Sequence, residues 1–402
     1  MPPFRRIPVL FLRNLLLAAF VCSSTTMPGF ACAAPTVEKG ESESQLWVYI
    51  GTYTKTREAG INFCRLDLKS GELSKPEVFA KTANPSFLAI HPTRPLLYSI
   101  AEVWEFEGQK SGFANAYSVQ PITGKLVLLN QQSTGGPGPC HVSVDHSGQT
   151  LLVANYGGGS VASLPIQSDG RLKPAATVDK HHGSSTNPAR QTGPFAHCMN
   201  ADLTNRFVFS ADLGIDQVMI YRLNAAQGTL TANEPAFATL PPGSGPRHLA
   251  FHPSGRFVYV INELNSTVSV FRYDSLHGSL GAVQIISTLP GDFSGKSTAA
   301  EIQVHPSGRF LYGSNRGHDS IAIFAIDPKT GMLRCLGHQS ARGKAPRHFA
   351  LDPNGRYLLA ANQDTGNVVV FRVDSESGML QPTGNSVSIS MPVCVVMMLP
   401  VQ

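Results

Sequence analysis

The chain has 402 residues, of which 42% are hydrophobic and 15% are charged, and it contains 37 glycines and 29 prolines. This hydrophobic content excludes an intrinsically disordered chain, and the low content of Glu, Lys and Arg argues against a coiled coil or a long helical bundle. Frequent glycine with few charges favours many tight turns, and hence an all-β fold. The formal net charge of +5 is only weak support for a nucleic-acid partner.

The first 34 residues have the layout of a secretory signal peptide. Three arginines flank or precede a short apolar run, and an Ala-x-Ala cleavage site spans residues 31–33. The run is too short to span a bilayer, and no later segment is long and apolar enough for a transmembrane helix. We therefore expect export to the periplasm or outside the cell, followed by a flexible linker over residues 35–44. Loss of the three arginines leaves a charge of +2, so no nucleic-acid partner is expected.

Five cysteines follow the predicted cleavage site: Cys64, Cys140, Cys198, Cys335 and Cys394. Their number is odd, their spacing is wide and no Cys-x-x-Cys pair occurs, which excludes a disulfide scaffold and a zinc site. We interpret them as small buried hydrophobic residues. One disulfide among them is the alternative, because the predicted compartment is oxidising.

A repeated phrase organises the rest of the chain. His252-Pro-Ser-Gly-Arg-Phe recurs as His305-Pro-Ser-Gly-Arg-Phe and, in modified form, as Asp352-Pro-Asn-Gly-Arg-Tyr. Weaker copies begin at residues 91, 145 and 202. The six starts are 47 to 57 residues apart, a period that is typical of propeller blades or of a solenoid.

Each repeat predicts four short antiparallel strands. In one copy a strand over 248–251 precedes the Pro-Ser-Gly-Arg turn, and strands over 257–261 and 267–273 follow it. A Gly-x-Leu turn at residues 278–280 leads to the fourth strand. Four antiparallel strands make a propeller blade, whereas the 3.6-residue period of a helical solenoid is absent.

The two chain ends supply a seventh blade. Residues 47–53 match a second strand, residues 61–66 match a third, and residues 391–396 supply the missing innermost strand. Such a shared blade closes the ring and removes exposed sheet edges. We therefore predict an all-β fold, a single seven-bladed β-propeller of four-stranded antiparallel blades over residues 45–400. Neither tryptophan is followed by Asp, which argues against a WD40 propeller.

Three segments resemble a known family: Tyr49-Ile-Gly-Thr-Tyr-Thr54, the Gly-Pro-Arg-His that precedes His252, and Asp212-Leu-Gly-x-Asp216. In these motifs and in their order the sequence is similar to the lactonase family of seven-bladed propellers. That family includes bacterial 6-phosphogluconolactonase and is similar to fungal carboxy-muconate cyclase. The resemblance implies a lactone-hydrolysing enzyme and leaves its substrate open, because a fold alone does not determine a substrate.

Residues that recur from blade to blade are interpreted as structural. The histidines and arginines of the repeated turn pack the turn and the strand ends, and we exclude them from the site. They are His91, His252, His305, Arg256, Arg309 and Arg356.

Residues that differ between blades are candidates for function. The position four before each turn start holds Phe87, His141, Cys198, His248, Glu301 and His348, with Cys394 as the seventh. It lies near the start of the innermost strand, at one mouth of the central channel. Three of these residues directly follow His197, Arg247 and Arg347. Because strand side chains alternate, we expect one member of each pair to face the channel, and the residues alone do not say which.

The second strands end at the same mouth. Their last residues include Asp212, Asn262-Glu263 and Asn315-Arg316. The recurring Asn is interpreted as turn chemistry. Histidines, arginines and carboxylates from several blades therefore converge on one funnel.

The loop over residues 181–197 is longer and more polar than the other connections into an innermost strand. Long polar loops at a rim often carry function. The loop also resembles the family's Arg-Gln-x-x-Pro-x-x-His segment, which implies roles for Arg190, Gln191 and His197. The pair His181-His182 lacks a third metal ligand at suitable spacing, so we interpret it as part of a solvated loop.

This set supplies what lactone hydrolysis needs: a base for the water, a cation for the oxyanion and an acid for the leaving oxygen. We assign catalysis to His141, Arg190, Arg247 and Glu263. We assign substrate binding to His197, Asp212, His248, Glu301, Arg347 and His348. Neither a metal nor another cofactor is expected.

The principal hypothesis is an exported lactonase that hydrolyses a sugar lactone such as 6-phosphogluconolactone or gluconolactone. Export favours the unphosphorylated compound, because phosphogluconolactone is a cytosolic metabolite. The alternative is a non-catalytic propeller that binds a protein or peptide at its rim. A metal-dependent sugar lactonase is disfavoured, because no carboxylate-rich channel is predicted. The sequence makes no prediction of the oligomeric state.

Overall fold

The computed structural model describes residues 44–56 and 59–401. The predicted signal peptide (1–34) and the predicted linker (35–44), apart from its last residue, lie outside the described residues. Within the described ranges the chain forms seven four-stranded antiparallel sheets and no helix. These sheets are the blades of a seven-bladed β-propeller, as the sequence predicted.

The first four blades follow one another along the chain. Blade 1 contains β1 (Gln45–Thr52), β2 (Gly60–Asp67) and β3 (Glu77–Lys81). Blade 2 contains β4 (Leu88–Ile90), β5 (Leu96–Ala101), β6 (Phe113–Val119) and β7 (Leu126–Ser133). Blade 3 contains β8 (Pro139–Val144), β9 (Thr150–Asn155), β10 (Ser160–Pro165) and β11 (Thr177–Lys180). Blade 4 contains β12 (Asn200–Ala201), β13 (Phe207–Asp212), β14 (Gln217–Asn224) and β15 (Thr229–Thr239).

The remaining blades follow the same order. Blade 5 contains β16 (Pro246–Phe251), β17 (Phe257–Asn262), β18 (Thr267–Asp274) and β19 (Ser279–Ser287). Blade 6 contains β20 (Thr298–Val304), β21 (Phe310–Arg316), β22 (Ser320–Ile326) and β23 (Leu333–Ser340). Blade 7 contains β24 (Pro346–Leu351), β25 (Tyr357–Asn362), β26 (Asn367–Val373) and β27 (Leu380–Ser388). The last strand, β28 (Pro392–Met398), is the innermost strand of blade 1.

The chain closes its own ring. Strand β28 pairs antiparallel with β1, with Gly51 opposite Cys394. This pairing confirms the prediction that both chain ends share one blade. It also supplies the innermost strand of blade 1, so that each of the seven blades has four strands.

The hydrophobic core lies between the blades. In the described part of the chain the buried apolar side chains form seven clusters, and each cluster joins two neighbouring blades. The core is therefore a ring of face-to-face sheet contacts around a central channel.

The repeated turn forms a second set of contacts between blades. The Nε2 atoms of His252 and His305 each donate to a glycine carbonyl in the next blade's turn, Gly308 at 2.9 Å and Gly355 at 3.0 Å. Nδ1 of His252 accepts from the backbone N–H of Ser254, which fixes the proton on Nε2. A Cβ atom at position 355, where φ is +71°, would lie 2.2 Å from the His305 ring, so the turn requires glycine. The structural interpretation of these histidines is confirmed.

The cysteines follow the sequence interpretation with one exception. Among the five in the described ranges, all are unpaired and four are buried, whereas Cys335 is exposed. In the same ranges no helix is long and apolar enough to cross a membrane.

Candidate active site in the central channel

One mouth of the channel is formed where the innermost strands begin and the second strands end. In blade 5 this places Pro246 opposite Asn262, and in blade 7 it places Pro346 opposite Asn362. We call it the arginine mouth, after the residues described below. The innermost strands run from here to the opposite end of the channel, the far mouth.

A β-bulge at the start of three innermost strands changes which side chains face the channel. The bulges lie between Pro139 and His141, between Pro246 and His248, and between Pro346 and His348. A bulge inserts one unpaired residue and interrupts the alternation of side chains. The expectation that only one residue of a pair faces the channel is therefore wrong for Arg247-His248 and Arg347-His348. In the third pair Cys198 packs in the core between blades 4 and 5, as alternation predicts.

Consecutive side chains occupy two levels of the channel. The bulge residues Cys140, Arg247 and Arg347 line a small cavity of about 10 Å³ on the side of the arginine mouth. The histidines that follow them, His141, His248 and His348, line a cavity of about 560 Å³ that opens at the far mouth.

A buried carboxylate collects three arginines at the arginine mouth. Oε1 of Glu263 accepts from Nη2 of Arg190 at 2.6 Å. Its Oε2 lies 3.2 Å from Nε of Arg247 and 2.9 Å from Nη2 of Arg316. The Arg190 side chain is 38% exposed, whereas those of Arg247 and Glu263 are at most 5% exposed. One carboxylate thus faces three guanidinium groups, and the cluster keeps an excess of positive charge.

The arginines determine the charge state of Glu263. Burial alone would raise the pKa of its carboxyl group, but Arg316, Arg247, His197 and the hydrogen bond from Arg190 outweigh burial. The pKa is held well below its ordinary value, so Glu263 is ionised at neutral pH and is a weak proton acceptor.

His197 lies beside this cluster. Its Nε2 is 3.9 Å from Oε2 of Glu263, too far for a direct hydrogen bond but close enough for one water to contact both. On its other side Nδ1 is 3.6 Å from the sulfur of Cys140. Burial and the charge of Arg247 lower the pKa of His197 well below its ordinary value, so the imidazole is neutral at pH 7.

Arg347 belongs to a neighbouring hydrogen-bonded group. Its Nη2 donates to the hydroxyl of Tyr53 at 3.0 Å, and that hydroxyl donates to Glu102 at 2.9 Å. Ser86 also donates to Glu102. The structure therefore places Arg347 at the small cavity next to Arg247 and links it through Tyr53 to a different carboxylate, Glu102.

The histidines on the far side form an aromatic floor around Phe87. Ring centroids of His141, His348 and His248 lie 4.3, 5.3 and 5.6 Å from that of Phe87. Burial, with like-charge repulsion, lowers the pKa of His141 and of His348 to about 3. These imidazoles are therefore neutral.

Glu301 joins this floor. Its Oε2 is 2.8 Å from Nδ1 of His248 and 3.4 Å from Nε2 of His348. Burial raises the pKa of the Glu301 carboxyl to about 8, although Arg247 opposes the rise. The two buried glutamates of the channel thus have opposite charge states, which are set by the number of arginines around each.

Eight of the ten predicted site residues therefore fall into two groups. Arg190, Arg247, Glu263 and His197 meet at the arginine mouth. The floor of the far cavity holds His141, His248, Glu301 and His348. Arg247 links the groups, because its Nη1 contacts the His248 ring at 3.2 Å and donates to the carbonyl of Ala300 at 2.8 Å. No contact among the described residues joins His141 to Glu263.

Comparison with known proteins decides the family. The Lactonase, 7-bladed beta-propeller family matches residues 47–397. The chain belongs to this family. It is 39% identical over 304 residues to a Bacillus subtilis (strain 168) protein named 6-phosphogluconolactonase. That match covers 76% of this chain and 84% of the relative. It is 35% identical over 312 residues to a Formosa agariphila protein of the same name, which covers 76% of this chain and 86% of the relative.

A solved structure resembles the whole propeller. The periplasmic gluconolactonase of Pseudomonas aeruginosa superposes with a TM-score of 0.83 at 37% sequence identity. The match covers 89% of this chain and all of that one. The chain thus shares its fold with a solved gluconolactonase.

Asp212, the first residue of the family's Asp-Leu-Gly motif, lies outside the arginine cluster. Its Oδ1 accepts from the backbone N–H groups of Phe195 and Gly214 at 2.7 and 2.9 Å. Its Oδ2 is 2.6 Å from Nδ1 of His181. Asp212 therefore ties the first and last parts of the 181–197 loop together, and does not join Glu263.

His181 extends this anchor, which corrects its interpretation as a solvated residue. The ring is buried, and its Nε2 lies 2.9 Å from the hydroxyl of Tyr221. That hydroxyl donates to Asp179 at 2.8 Å. His182 is exposed, as expected. Among the described residues no group of three or more His, Cys, Asp or Glu side chains is arranged to hold a metal ion.

Two residues of the cluster were absent from the predicted set. Arg316 binds Glu263, and the hydroxyl of Tyr156 accepts from Arg190 at 3.3 Å. Both directly follow the recurring Asn at the end of a second strand, as Glu263 does. The Asn side chains at positions 155 and 315 bond to backbone carbonyls of the preceding turn. Position in the sequence could therefore have identified Tyr156 and Arg316: each directly follows an Asn that recurs for a structural reason.

The loop anchor gives the first prediction. Tyr221→Phe removes the hydroxyl between His181 and Asp179, and we expect faster amide hydrogen exchange over residues 182–194. Tyr273→Phe is a matched control, because Tyr273 is a buried tyrosine that donates to Asp202 at 2.9 Å and does not touch the loop. Both variants should lose about 1–3 kcal/mol of stability. Unchanged loop exchange in Tyr221→Phe would contradict the anchoring role.

The charge state of Glu301 gives the second prediction. A carboxyl group whose pKa is higher in the folded than in the unfolded chain stabilises the fold at low pH, and that contribution is lost as the pH rises. The window runs from about 4.5, its ordinary pKa, to about 8. The lowered pKa values of His248 and His348 affect the stability of both proteins, so their contribution is removed by taking the difference. Glu301→Gln keeps a neutral side chain, so its stability relative to wild type should increase across the window, by at most about 1.4 kcal/mol per pH unit.

Chemical unfolding of both proteins from pH 4 to pH 9 measures this difference. A stability gap between Glu301→Gln and wild type that is the same at every pH would show that folding does not raise the pKa of the carboxyl group, and would overturn the assignment.

Proposed function

We propose that the protein is an exported lactonase that hydrolyses an aldonic-acid lactone at the arginine mouth of its channel. The observation that carries the proposal is the cluster of Arg190, Arg247 and Arg316 on the single carboxylate of Glu263, in a chain of the lactonase family. The names of the relatives support it, since one is called a 6-phosphogluconolactonase and another a periplasmic gluconolactonase.

The arginines are suited to stabilise the oxyanion of ester hydrolysis. Attack on the lactone carbonyl carbon places negative charge on its oxygen, and donors aimed at that charge in a water-poor site lower the barrier most. Arg190 is the most exposed of the three guanidiniums and donates to Glu263 through Nη2. We assign the oxyanion to Arg190 and Arg316, with Glu263 holding both in place.

We assign the proton transfers to His197. Its imidazole is neutral and lies close enough to Glu263 for one water to contact both side chains. As the water oxygen attacks the carbonyl carbon, Nε2 takes a proton from the water, and the imidazolium is stabilised by the carboxylate of Glu263. Collapse of the tetrahedral intermediate breaks the bond to the ring oxygen, which receives the proton from His197. One water and one lactone thus give one hydroxy acid.

This assignment changes the predicted roles of His141, Glu263 and His197, the last of which the sequence assigns to substrate binding. His141 was assigned to catalysis, but its contacts are with the aromatic floor of the far cavity. Glu263 was also assigned to catalysis, but a carboxylate bound by three arginines accepts a proton poorly. Because both oxygens of Glu263 are engaged by arginines, we propose that Glu263 positions the arginines and the water. We propose that His197 is the base, since its Nε2 lies across the water position from Glu263. Arginine, histidine and glutamate supply every step of this mechanism, so we expect activity without an added metal.

We propose an unphosphorylated sugar lactone as the substrate. The signal-like N-terminus predicts a compartment outside the cytosol. A relative at 37% identity is described as a periplasmic gluconolactonase. The site also provides a route for product release. The carboxylate of the product forms among the arginines, and water can replace it at Arg190, whose side chain is partly exposed.

The direct test is hydrolysis of glucono-1,5-lactone by the purified protein, with EDTA present and with the spontaneous rate subtracted. We expect enzyme-dependent hydrolysis that survives EDTA, and a higher kcat/KM for gluconolactone than for its 6-phosphate. His197→Gln should lower kcat by about 100-fold or more. His146→Gln changes an exposed histidine in a turn between strands and should leave kcat unchanged.

Three outcomes would count against the proposal. Loss of activity in EDTA that returns with a metal would favour a metal-dependent lactonase. Equal activity of His197→Gln and wild type would remove His197 as the base. Absence of hydrolysis with every lactone would favour a propeller that binds a partner at its rim.

A further inference from the structure

An exposed tryptophan lies at the rim of the arginine mouth. Trp104 is 67% exposed and belongs to the loop between β5 and β6. Two residues before it, Glu102 binds the hydroxyl of Tyr53, which in turn binds Arg347. The same loop therefore reaches into the small cavity and carries the indole outside it.

The indole is seated on the backbone of two neighbouring glycines. A Cβ atom on Gly157 would lie 2.8 Å from the indole ring, and one on Gly138 would lie 4.0 Å from it. The amide of Gly138 donates to the carbonyl of Val103 at 2.8 Å, and the amide of Gly157 donates to the carbonyl of Gly138 at 3.3 Å. The indole thus lies against the two glycines, and backbone hydrogen bonds join its loop to Gly138 and Gly138 to Gly157.

The aromatic surface continues from Trp104 toward the arginines. Tyr156 directly precedes Gly157, and its ring stacks on that of Phe195 with centroids 4.9 Å apart. Tyr156 also accepts a hydrogen bond from Arg190. The half-buried pair Tyr156 and Phe195 therefore lies next to the proposed reacting centre, and Trp104 lies one residue further out.

An exposed aromatic ring at the rim of a polar site is suited to pack against the flat, apolar face of a sugar ring. Tryptophan offers a large contact area and loses little conformational entropy on binding. No cation among its described contacts recruits an anion to Trp104 itself, which favours a neutral ring over a phosphate. Because Trp104 lies against Gly157, the residue after Tyr156, a unit attached to the lactone is the part of a substrate that would reach it.

We propose that Trp104 forms a subsite for a neutral hexopyranosyl unit attached to the aldonolactone, so that the preferred substrate is the lactone of a glycosylated aldonic acid. The inference rests on the proposed function, because the lactone ring is placed at the arginine cluster. The hydrolysed bond and the products are the same as in the mechanism above, and the added sugar takes no part in the chemistry.

The chain contains two tryptophans, and this makes the subsite directly observable. Trp47 is 2% exposed within blade 1, so acrylamide should quench the fluorescence of Trp104 selectively. We expect cellobionate, a non-hydrolysable product acid with a glucosyl unit, to protect Trp104 from acrylamide. Gluconate, which lacks that unit, should protect it much less. Trp104→Phe provides the remaining emission of Trp47 as the baseline.

Kinetics provide the second measurement. Wild type should hydrolyse cellobiono-1,5-lactone with a kcat/KM about tenfold above that for glucono-1,5-lactone, and Trp104→Ala should reduce this ratio to near one through KM. The kcat for gluconolactone should be unchanged in Trp104→Ala, because the indole does not touch the arginine cluster. Trp104→Phe should retain part of the preference, because it keeps an aromatic face.

The outcomes separate this inference from the proposed function. Protection by cellobionate without hydrolysis of any lactone would support the sugar subsite and overturn the lactonase proposal. Hydrolysis of gluconolactone with equal rates for both lactones, no protection of Trp104 and no effect of Trp104→Ala would overturn the subsite and leave the lactonase proposal standing.

Discussion

The carboxylate of Glu263 is the interaction on which the channel depends. It lies 2.6 to 3.2 Å from three guanidinium groups that come from different parts of the propeller. Arg247 comes from the innermost strand of blade 5, Arg316 from the end of β21 in blade 6, and Arg190 from the loop between blades 3 and 4. Without this carboxylate, three like charges would remain close together in a region where two of them are largely buried. Removing one partner of such a buried cluster typically costs about 3–5 kcal/mol. The same charges that make the carboxylate necessary for the structure leave an excess of positive potential where an oxyanion can form.

The propeller separates the residues that build the scaffold from those that build the site. Turn histidines, glycines and the Asn at the end of the second strand recur and bind neighbouring backbone. The residues beside them vary, and they are the ones that reach the axis. The β-bulges at the starts of innermost strands also help to build the site, because each directs two consecutive side chains into the channel at different levels. The same three strand starts therefore contribute side chains to both the arginine mouth and the far cavity. The two sites have opposite chemistry: ionised groups on one side, and neutral imidazoles with a protonated carboxyl group on the other.

Much of this arrangement could be predicted from the sequence, because a repeated strand pattern specifies its own architecture. The blade period, the closure by residues 391–396 and the packing role of His252 all follow from alternation and turn chemistry, and the structure confirms them. The convergence of Arg190, Arg247 and Glu263 also follows, since strand ends of adjacent blades meet at one mouth. The division of His141 from Glu263 could not be predicted, because it depends on bulges that strict alternation does not contain. Asp212 stands at a strand end like the site residues, and only its three-dimensional contacts distinguish an anchor of the loop from a member of the cluster.

The central claim is that the chemistry takes place at the arginine mouth and not in the larger far cavity. The two buried glutamates provide the most direct comparison, because each can be replaced by an isosteric neutral glutamine. The decisive measurement is kcat/KM for glucono-1,5-lactone at neutral pH in Glu263→Gln and Glu301→Gln, with folding of both variants checked by circular dichroism. The account predicts a loss of about 100-fold or more for Glu263→Gln, because the arginines lose the charge that positions them. Glu301→Gln should stay within about threefold of wild type, since its carboxyl group is already neutral at that pH. A large loss for Glu301→Gln with an active Glu263→Gln would place the reaction at the opposite end of the channel and contradict the account.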